Sequence, residues 1–181
     1  MRSLIWFRND LRVDDNPALS NCCVISDEVI AVYFLTESQW EQHNDSKAKK
    51  SFWLRSLVCL EKELQKLNIP LLIIETENYD SIYASLLKVM QQCDCKSLYF
   101  NNEYPVNELK RDRYIYKSLK EIGFGVFNYH DQVIHPPGSL KTKAGGNFSV
   151  YSPFKRKWFA ELLDEQLDIL EIPQKKEEMV I

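Results

Sequence analysis

The sequence predicts an α/β protein with a Rossmann-like, doubly wound sheet of five parallel strands and helices on both faces. Short apolar runs alternate with longer amphipathic segments, which is typical of repeated strand–helix–strand units. The run over residues 29–35 is apolar without interruption, as in a strand that is buried on both faces. Because crossovers between parallel strands are right-handed, the topology is limited to a doubly wound form.

The strands are predicted from short apolar runs bounded by polar residues, proline or glycine. They cover residues 4–7, 29–35, 70–74, 98–100 and 126–129. Helices are predicted between them, where apolar residues recur every three or four positions.

The first helix begins after Asp15 or Asn16, either of which can cap it, with Pro17 in its first turn. Ser46 begins the second, a long helix that ends at Asn68, and the others cover residues 79–92, 105–122 and 152–170. Each of three helices has an apolar stripe that is predicted to be buried. In the long second helix it consists of Phe52, Leu54, Leu57, Leu60, Leu64 and Leu67, and in the helix over residues 79–92 of Ile82, Leu86, Val89 and Met90. In the helix over residues 105–122 it consists of Val106, Leu109, Ile115 or Tyr116, Leu119 and Ile122.

The chain is predicted to divide after the last strand. Residues 1–135 hold all five predicted strands and form the α/β domain. Residues 136–181 are expected to form a loop, the last helix and the start of a linker, because 136–148 carries prolines and glycines and 173–181 is charged.

Composition excludes several classes of protein. The 181 residues suit one domain, and the formal net charge of -3 argues against a general nucleic-acid-binding surface. No apolar run approaches the roughly 20 residues of a membrane span. Five cysteines without a C-x-x-C motif or a secretory signal indicate a reducing, cytoplasmic location. No G-x-G-x-x-G or P-loop motif follows the first strand, which disfavours ordinary NAD or ATP binding.

The segment after the fourth strand carries the clearest binding chemistry. Pro105 presets the first turn of a helix and places Asn107 and Glu108 within it. An ionised carboxylate is favoured there by the helix dipole, and it accepts hydrogen bonds on two parallel oxygens. A carboxylate pairs best with two adjacent hydrogen-bond donors, such as an arginine guanidinium or the amino group and ring N–H of a pterin. The alternative is that Glu108 only favours the helix start, while Arg111 and Asp112 form a surface ion pair.

Three motifs give the chain a resemblance to the DNA photolyase and cryptochrome family. They are W-F-R-N-D-L-R-V-D-D-N-P-A-L at residues 6–19, Y-P-V-N-E-L-K-R-D at 104–112 and Y-S-P-F-K-R-K-W at 151–158. The third has Ser152 where the family pattern has threonine. The resemblance covers residues 4–158.

This resemblance implies a binding site for an antenna chromophore. In folate-type photolyases the residues that match Asn107 and Glu108 hold the pterin ring of methenyltetrahydrofolate, and His43 matches a position near that folate. An ordinary loop histidine is the alternative for His43. A deazaflavin or a second flavin remains an alternative to the folate.

Other residues that match the family have structural explanations. A structural ion network accounts for Arg8, Asp10 and Arg12 at least as well as ligand contact does. The tryptophans are expected to be core or loop aromatics rather than the electron-transfer chain of the family; they are Trp6, Trp40, Trp53 and Trp158.

The resemblance further implies the N-terminal antenna domain of a photolyase. Its partner would be the FAD-binding helical domain of the same protein, which is not part of these 181 residues. The full-length protein would use light to repair cyclobutane pyrimidine dimers in UV-damaged DNA. This domain would hold no catalytic residue and would be a monomer that does not bind membranes. Alternatives are a cryptochrome-type blue-light sensor and a stand-alone nucleotide-binding module of similar fold.

Overall fold

A parallel sheet of five strands forms the centre of the fold. Its strands are β1 (Arg2–Phe7), β2 (Glu28–Leu35), β3 (Leu71–Glu75), β4 (Ser97–Asn101) and β5 (Gly125–Tyr129). Their order is β3-β2-β1-β4-β5, and every neighbouring pair is parallel. The computed structural model describes residues 1–42, 44–164 and 169–179. The predicted fold class is confirmed, and the strand order changes direction between β1 and β4, where such sheets bind ligands.

Helices connect and follow these strands. They are α1 (Pro17–Ile25), α2 (Glu37–Gln42), α3 (Lys47–Lys66), α4 (Ile82–Gln92), α5 (Val106–Glu121) and α6 (Tyr151–Asp164). Asn16 caps α1 by accepting a hydrogen bond from the Leu19 N–H at 3.0 Å. Ser46 caps α3 by accepting one from the Lys49 N–H at 3.2 Å. Both caps were predicted from the sequence, because these side chains satisfy amides that a helix start leaves unpaired.

Two helix bounds differ from the prediction by more than one or two residues. Helix α4 begins at Ile82 rather than at residue 79, because Asn78 and Ser81 bond to each other's backbone in a turn. The predicted extension of the last helix to Leu170 is wrong. Leu170 lies outside α6 and exchanges backbone and side-chain hydrogen bonds with Asp15, at 3.0 and 3.1 Å.

Apolar side chains form a cluster on each face of the sheet. Ile5 and Phe7 of β1 belong to the cluster that includes residues of α1 and α3. Leu4 and Trp6 belong to the cluster that includes residues of α4 and α5. All four are at most 1% exposed. This alternation along a strand buried on both faces explains the uninterrupted apolar runs in the sequence.

The predicted stripes of α3 and α4 are largely confirmed. The buried residues of these two helices and their ends include Leu57, Leu60, Leu64, Leu67, Ile82, Leu86, Val89 and Met90. The prediction is wrong for Phe52 and Leu54, which are 61% and 46% exposed. At about 100° per residue, both project roughly 90° or more from the centre of the stripe that Leu57, Leu60 and Leu64 form.

The predicted apolar stripe of α5 is wrong at both of its ends. Val106 is 67% exposed and Ile122 is 52% exposed. The buried residues of this helix are Glu108, Arg111, Asp112, Ile115 and Leu119. One helix face is therefore charged near its start and apolar near its end.

The chain forms two compact units. One comprises Met1–Tyr129 with Leu170–Ile181, and it holds the sheet and the helices α1 to α5. The other comprises His130–Ile169 and holds α6. The division into domains 1–135 and 136–181 stays a prediction. Within the described ranges, no helix is both long and apolar enough to cross a bilayer.

The C-terminal segment of the first unit is bonded to the start of the chain. The Lys176 N–H donates to the Leu67 carbonyl at 2.9 Å. The Lys176 ammonium donates to the carbonyls of Cys23 and, at 2.7 Å, Ser26. Because these carbonyls lie at the C-terminal end of α1, the lysine complements the negative end of that helix.

Candidate ligand-binding site

A cavity of about 390 Å³ lies where β1, β2 and β4 end. It lies at the switch point of the sheet, and its volume is in the range of small-molecule sites. Aromatic and charged side chains share its wall. The aromatic ones are Trp6, Tyr33, Phe34, Trp40, Trp53 and Tyr79, and the charged ones are Arg8, Asp45, Lys49, Glu103, Glu108 and Arg111.

Four buried charged side chains form an ion network beside this cavity. Arg8 Nη1 donates to both carboxylate oxygens of Asp112, at 2.9 and 3.0 Å. Arg111 donates from Nη2 to Glu103 at 2.7 Å and from Nε to Asp112 at 2.9 Å. Each residue is at most 8% exposed. The expected ion pair of Arg111 with Asp112 therefore exists, but it is buried rather than on the surface.

Neighbouring carboxylates keep the buried Arg111 charged. Burial alone would lower the pKa of Arg111, but the neighbouring carboxylates of Asp112 and Glu103 outweigh it and leave that pKa above its ordinary value. Because two arginines face two carboxylates, each charge has an opposite partner at close range. Removing one member would leave others buried and unpaired, which is strongly destabilising.

The two guanidinium groups of the ion network also contact aromatic rings. The Arg8 guanidinium carbon lies 4.9 Å from the centroid of Phe100 and 4.3 Å from that of Trp6. The Arg111 guanidinium carbon lies 4.8 Å from Trp6 and 4.6 Å from Tyr79. Such contacts are attractive because the faces of aromatic rings are electronegative. Trp6 therefore contacts both guanidinium groups, while Phe100 contacts Arg8 and Tyr79 contacts Arg111.

Asn107 and Glu108 line the same cavity, in the first turn of α5. Glu108 is only 8% exposed, and its Oε1 accepts a hydrogen bond from the Tyr79 hydroxyl at 3.1 Å. Among the described residues, no hydrogen bond reaches its second oxygen, Oε2. Asn107 is exposed. The structure thus brings these two predicted residues together, with an acceptor oxygen of Glu108 left for a ligand.

The opening motif is mainly structural. Asp10 accepts hydrogen bonds from the Arg8 N–H at 2.8 Å and from the Asn101 amide at 2.7 Å. The Arg12 guanidinium donates to the Asp15 carbonyl at 2.6 Å. These contacts hold the turn between β1 and α1. The prediction of a structural ion network is confirmed for Arg8, which pairs with Asp112.

His43, the third predicted site residue, lies outside the described residues. The short helix α2 precedes it, and the sequence did not predict this helix. Its Trp40 is 8% exposed and stacks on Trp53, with ring centroids 5.6 Å apart and an interplanar angle of 22°. The Lys49 ammonium lies 4.6 Å from the Trp53 centroid. This aromatic wall was missed because the two tryptophans lie 13 positions apart on different helices.

Tyr79 was also missed, although it contacts Glu108 directly. Sequence analysis assigned it to the start of a helix. Burial raises its pKa most, and the Glu108 carboxylate raises it further, while Arg111 acts in the opposite direction. The hydroxyl is therefore a protonated donor at neutral pH. The signal that would have found it is a tyrosine placed just after a parallel strand, at the ligand-binding edge of the sheet.

The site combines a buried carboxylate, an exposed amide and aromatic walls. A carboxylate accepts and does not donate, so it selects a ligand edge that carries N–H groups. Flat aromatic walls favour a flat ring system. Within the described ranges, no group of three or more His, Cys, Asp or Glu side chains is arranged to hold a metal ion. The geometry supports binding of an organic ring with N–H donors at one edge.

Sequence comparison relates the chain to photolyases. The model of the DNA photolyase family matches residues 3–175. The deoxyribodipyrimidine photo-lyase of Buchnera aphidicola from Acyrthosiphon pisum is 34% identical over 97% of this chain and 36% of its own length. That of Vibrio cholerae is 34% identical over 86% of the chain and 33% of its length. Cryptochrome-1 of Arabidopsis thaliana is 31% identical over 96% of this chain and 25% of its own length. The chain spans about a third of the length of the curated photolyases it matches.

Solved structures share the fold at lower identity. A Synechocystis cryptochrome superposes with a TM-score of 0.81 at 22% identity, over 98% of this chain and 37% of its own. A class III photolyase from Agrobacterium tumefaciens superposes with a TM-score of 0.77 at 23% identity, over 99% of this chain and 36% of its own. A Sulfolobus tokodaii photolyase with two FAD molecules superposes with a TM-score of 0.75 at 24% identity, over 97% of this chain and 38% of its own. At this identity the likeness establishes the shared fold.

Proposed function

Because this chain belongs to the DNA photolyase family, we propose that it is the antenna-binding N-terminal part of a light-driven DNA repair enzyme. Its cavity binds methenyltetrahydrofolate, with the pterin ring on Asn107 and Glu108. In the full-length protein, a helical domain holds FAD and contacts UV-damaged DNA that carries cyclobutane pyrimidine dimers. The five cysteines are free in the structure, which fits the proposed cytoplasmic location.

One observation carries this proposal: Glu108 is a buried carboxylate in a cavity at the switch point, with one oxygen unpaired among the described residues. A pterin supplies an amino group and a ring N–H side by side, which is the donor pair that a carboxylate accepts. The neighbouring Asn107 can accept from or donate to the next ring atom. The residues present therefore fit a pterin by volume and by donor set.

The role of this chain is binding and orientation. The folate, when bound, absorbs light whose energy is passed to FAD. Glu108 fixes the edge of the ring, and the aromatic walls exclude water and limit its tilt. Because energy transfer depends on distance and orientation, a rigid site is what an antenna requires. We assign no acid–base or nucleophilic step to this chain.

A titration of the chain with methenyltetrahydrofolate, followed by absorbance, tests the proposal. We expect saturable binding that Glu108→Ala weakens at least tenfold, because the ligand then loses hydrogen bonds to a charged acceptor. Glu121→Ala is the matched control, since Glu121 is an exposed glutamate at the far end of the same helix. Equal affinity of the Glu108 and Glu121 variants would contradict the proposal.

Two alternatives have specific support. The Sulfolobus tokodaii photolyase holds two FAD molecules, so a flavin is the alternative antenna. Cryptochrome-1 covers 96% of this chain, so a light sensor is the alternative to the repair enzyme. Titration with riboflavin tests whether the antenna is a flavin. An assay of dimer repair by the full-length protein distinguishes a repair enzyme from a light sensor. His43→Ala in the folate titration tests the third predicted residue, with weaker binding expected.

A further inference from the structure

We propose that Tyr79 is a positioning residue, which holds the Glu108 carboxylate in the orientation that receives two parallel N–H donors. The site thereby favours a pterin over an isoalloxazine ring. This inference rests on the proposed function, because it assumes that Glu108 contacts the ligand. It goes further in two ways. It identifies a residue that lies outside the motifs shared with the family, and it states which hydrogen-bonding edge of a ligand ring the site selects.

The first argument is the anchoring of Tyr79 itself. Its ring lies on the Arg111 guanidinium at 4.6 Å, and that guanidinium is held by Glu103 at 2.7 Å and Asp112 at 2.9 Å. Arg111 and both of its partners are at most 8% exposed. The ring of Tyr79, whose backbone lies in the turn before α4, is therefore supported by a buried ion network.

The second argument is the contact from Tyr79 to Glu108. The hydroxyl donates to Oε1 at 3.1 Å and restricts rotation of the carboxylate about its last bond. Each carboxylate oxygen has two acceptor positions, so Oε1 still has room for a ligand N–H. Oε2 has no hydrogen bond from any described residue. Both oxygens are thus available to the ligand, in a plane that Tyr79 sets.

The third argument concerns the ligand edge. The pyrimidine edge of a pterin offers an amino group next to a ring N–H, which matches two carboxylate oxygens. The corresponding edge of an isoalloxazine offers one N–H between two carbonyl oxygens. A carboxylate held in a fixed plane meets at least one of those carbonyl oxygens, and two acceptors face to face repel each other. A carboxylate that can rotate avoids this clash more easily.

Tyr79→Phe tests the inference, because it removes the hydroxyl and keeps the ring on Arg111. We expect methenyltetrahydrofolate to bind about three- to tenfold more weakly, as for the loss of one hydrogen bond to a charged group. We expect the wild-type chain to bind riboflavin at least tenfold more weakly than the folate, and Tyr79→Phe to leave the riboflavin affinity unchanged. Tyr83→Phe is the matched control, since Tyr83 contacts Tyr114 on the outer side and does not line the cavity.

A double-mutant cycle distinguishes positioning from a general structural effect. If Tyr79 acts through Glu108, adding Tyr79→Phe to the Glu108→Ala variant changes folate affinity less than twofold. Additive losses would overturn the inference, and so would equal binding of the two ligands by the wild-type chain. If Glu108→Ala itself leaves folate binding intact, the proposed function fails. If only the tyrosine variant behaves like the wild type, the proposed function stands and the role of Tyr79 is rejected.

Discussion

Helices α3 and α5 both pack on the sheet with one buried face, but the two faces differ in chemistry. The buried face of α3 consists of leucines, Leu57, Leu60 and Leu64. That of α5 begins with Glu108, Arg111 and Asp112 and becomes apolar only at Ile115 and Leu119. Both faces recur at helical spacing, so periodicity alone does not distinguish them.

The two buried faces differ in the free energy of burying their side chains. Burying leucine is favourable without further conditions, by about 2 kcal/mol for each side chain. Burying an ion is unfavourable unless partners surround it. The charged half of α5 lies at the switch point of the sheet, whereas the apolar half packs beneath it. The charges on the buried face of α5 are therefore concentrated at the proposed ligand site, and the part of this face that only packs on the sheet is apolar.

Removal of Asp112 is the strongest way to break this arrangement. Asp112→Ala leaves two buried arginines that both depend on the single carboxylate of Glu103, at 3.7 Å from Arg8 and 2.7 Å from Arg111, so we expect the free energy of unfolding to fall by about 3–5 kcal/mol. Urea unfolding measures this loss. Folate affinity should fall as well, because Arg111 then no longer supports Tyr79 and Glu108.

Leu64→Ala is the control from α3 for that experiment. It creates a cavity in the apolar cluster and should lower the free energy of unfolding by about 3 kcal/mol. Affinity measured at a temperature where both variants are folded should stay within twofold of the wild type. If the two variants weaken binding equally, the contrast between a ligand-supporting face and a packing face is incorrect.

Alkaline pH should destabilise the side of the core that α3 covers. Burial raises the pKa of Cys23 to about 11, and burial, together with the Glu103 charge, raises the pKa of Tyr33 to about 12. Both are neutral in the folded state and ionise at lower pH when unfolded. Unfolding therefore releases protons, and stability falls from about pH 9 upwards until the folded pKa values are passed. Tyr33→Phe should make this decline shallower in urea unfolding from pH 8 to 11.

The smallest effect is expected on the outer side of α3. Phe52 is 61% exposed, so Phe52→Ser should change the free energy of unfolding by no more than about 0.5 kcal/mol. A loss above 2 kcal/mol would show that this side chain belongs to the core, as its spacing in the sequence predicts.

The sheet was predictable because each strand is a local apolar run between polar boundaries. The caps Asn16 and Ser46 were predictable for the same reason, since each acts on an amide three residues away. Pro105 and the following carboxylate predicted that Asn107 and Glu108 lie at a helix start after a strand. The family resemblance singled them out as ligand contacts, and that role stays a prediction.

The rest of the site depends on contacts that are distant in sequence. Arg8 and Asp112 are separated by 104 positions, and Tyr79 and Glu108 by 29. Their partnership is set by the order of strands in the sheet, which brings the ends of β1 and β4 together. A charged residue at a helical position was assigned to the surface, although here its partner allows burial. This is also why Val106 was predicted to be buried in place of Glu108.

The path of the backbone has a consequence for engineering. Residues 130–169 leave the first unit at Tyr129, whose carbonyl accepts from the Asn102 N–H at 2.7 Å, and rejoin it at Leu170, which is bonded to Asp15. The end of β4 and the cap of α1 are themselves joined by an amide hydrogen bond of 2.8 Å. Exit and re-entry thus lie at one edge of the sheet. None of the described residues in 130–169 lines the cavity, so a glycine–serine bridge in place of this segment would leave every cavity-lining residue in the chain.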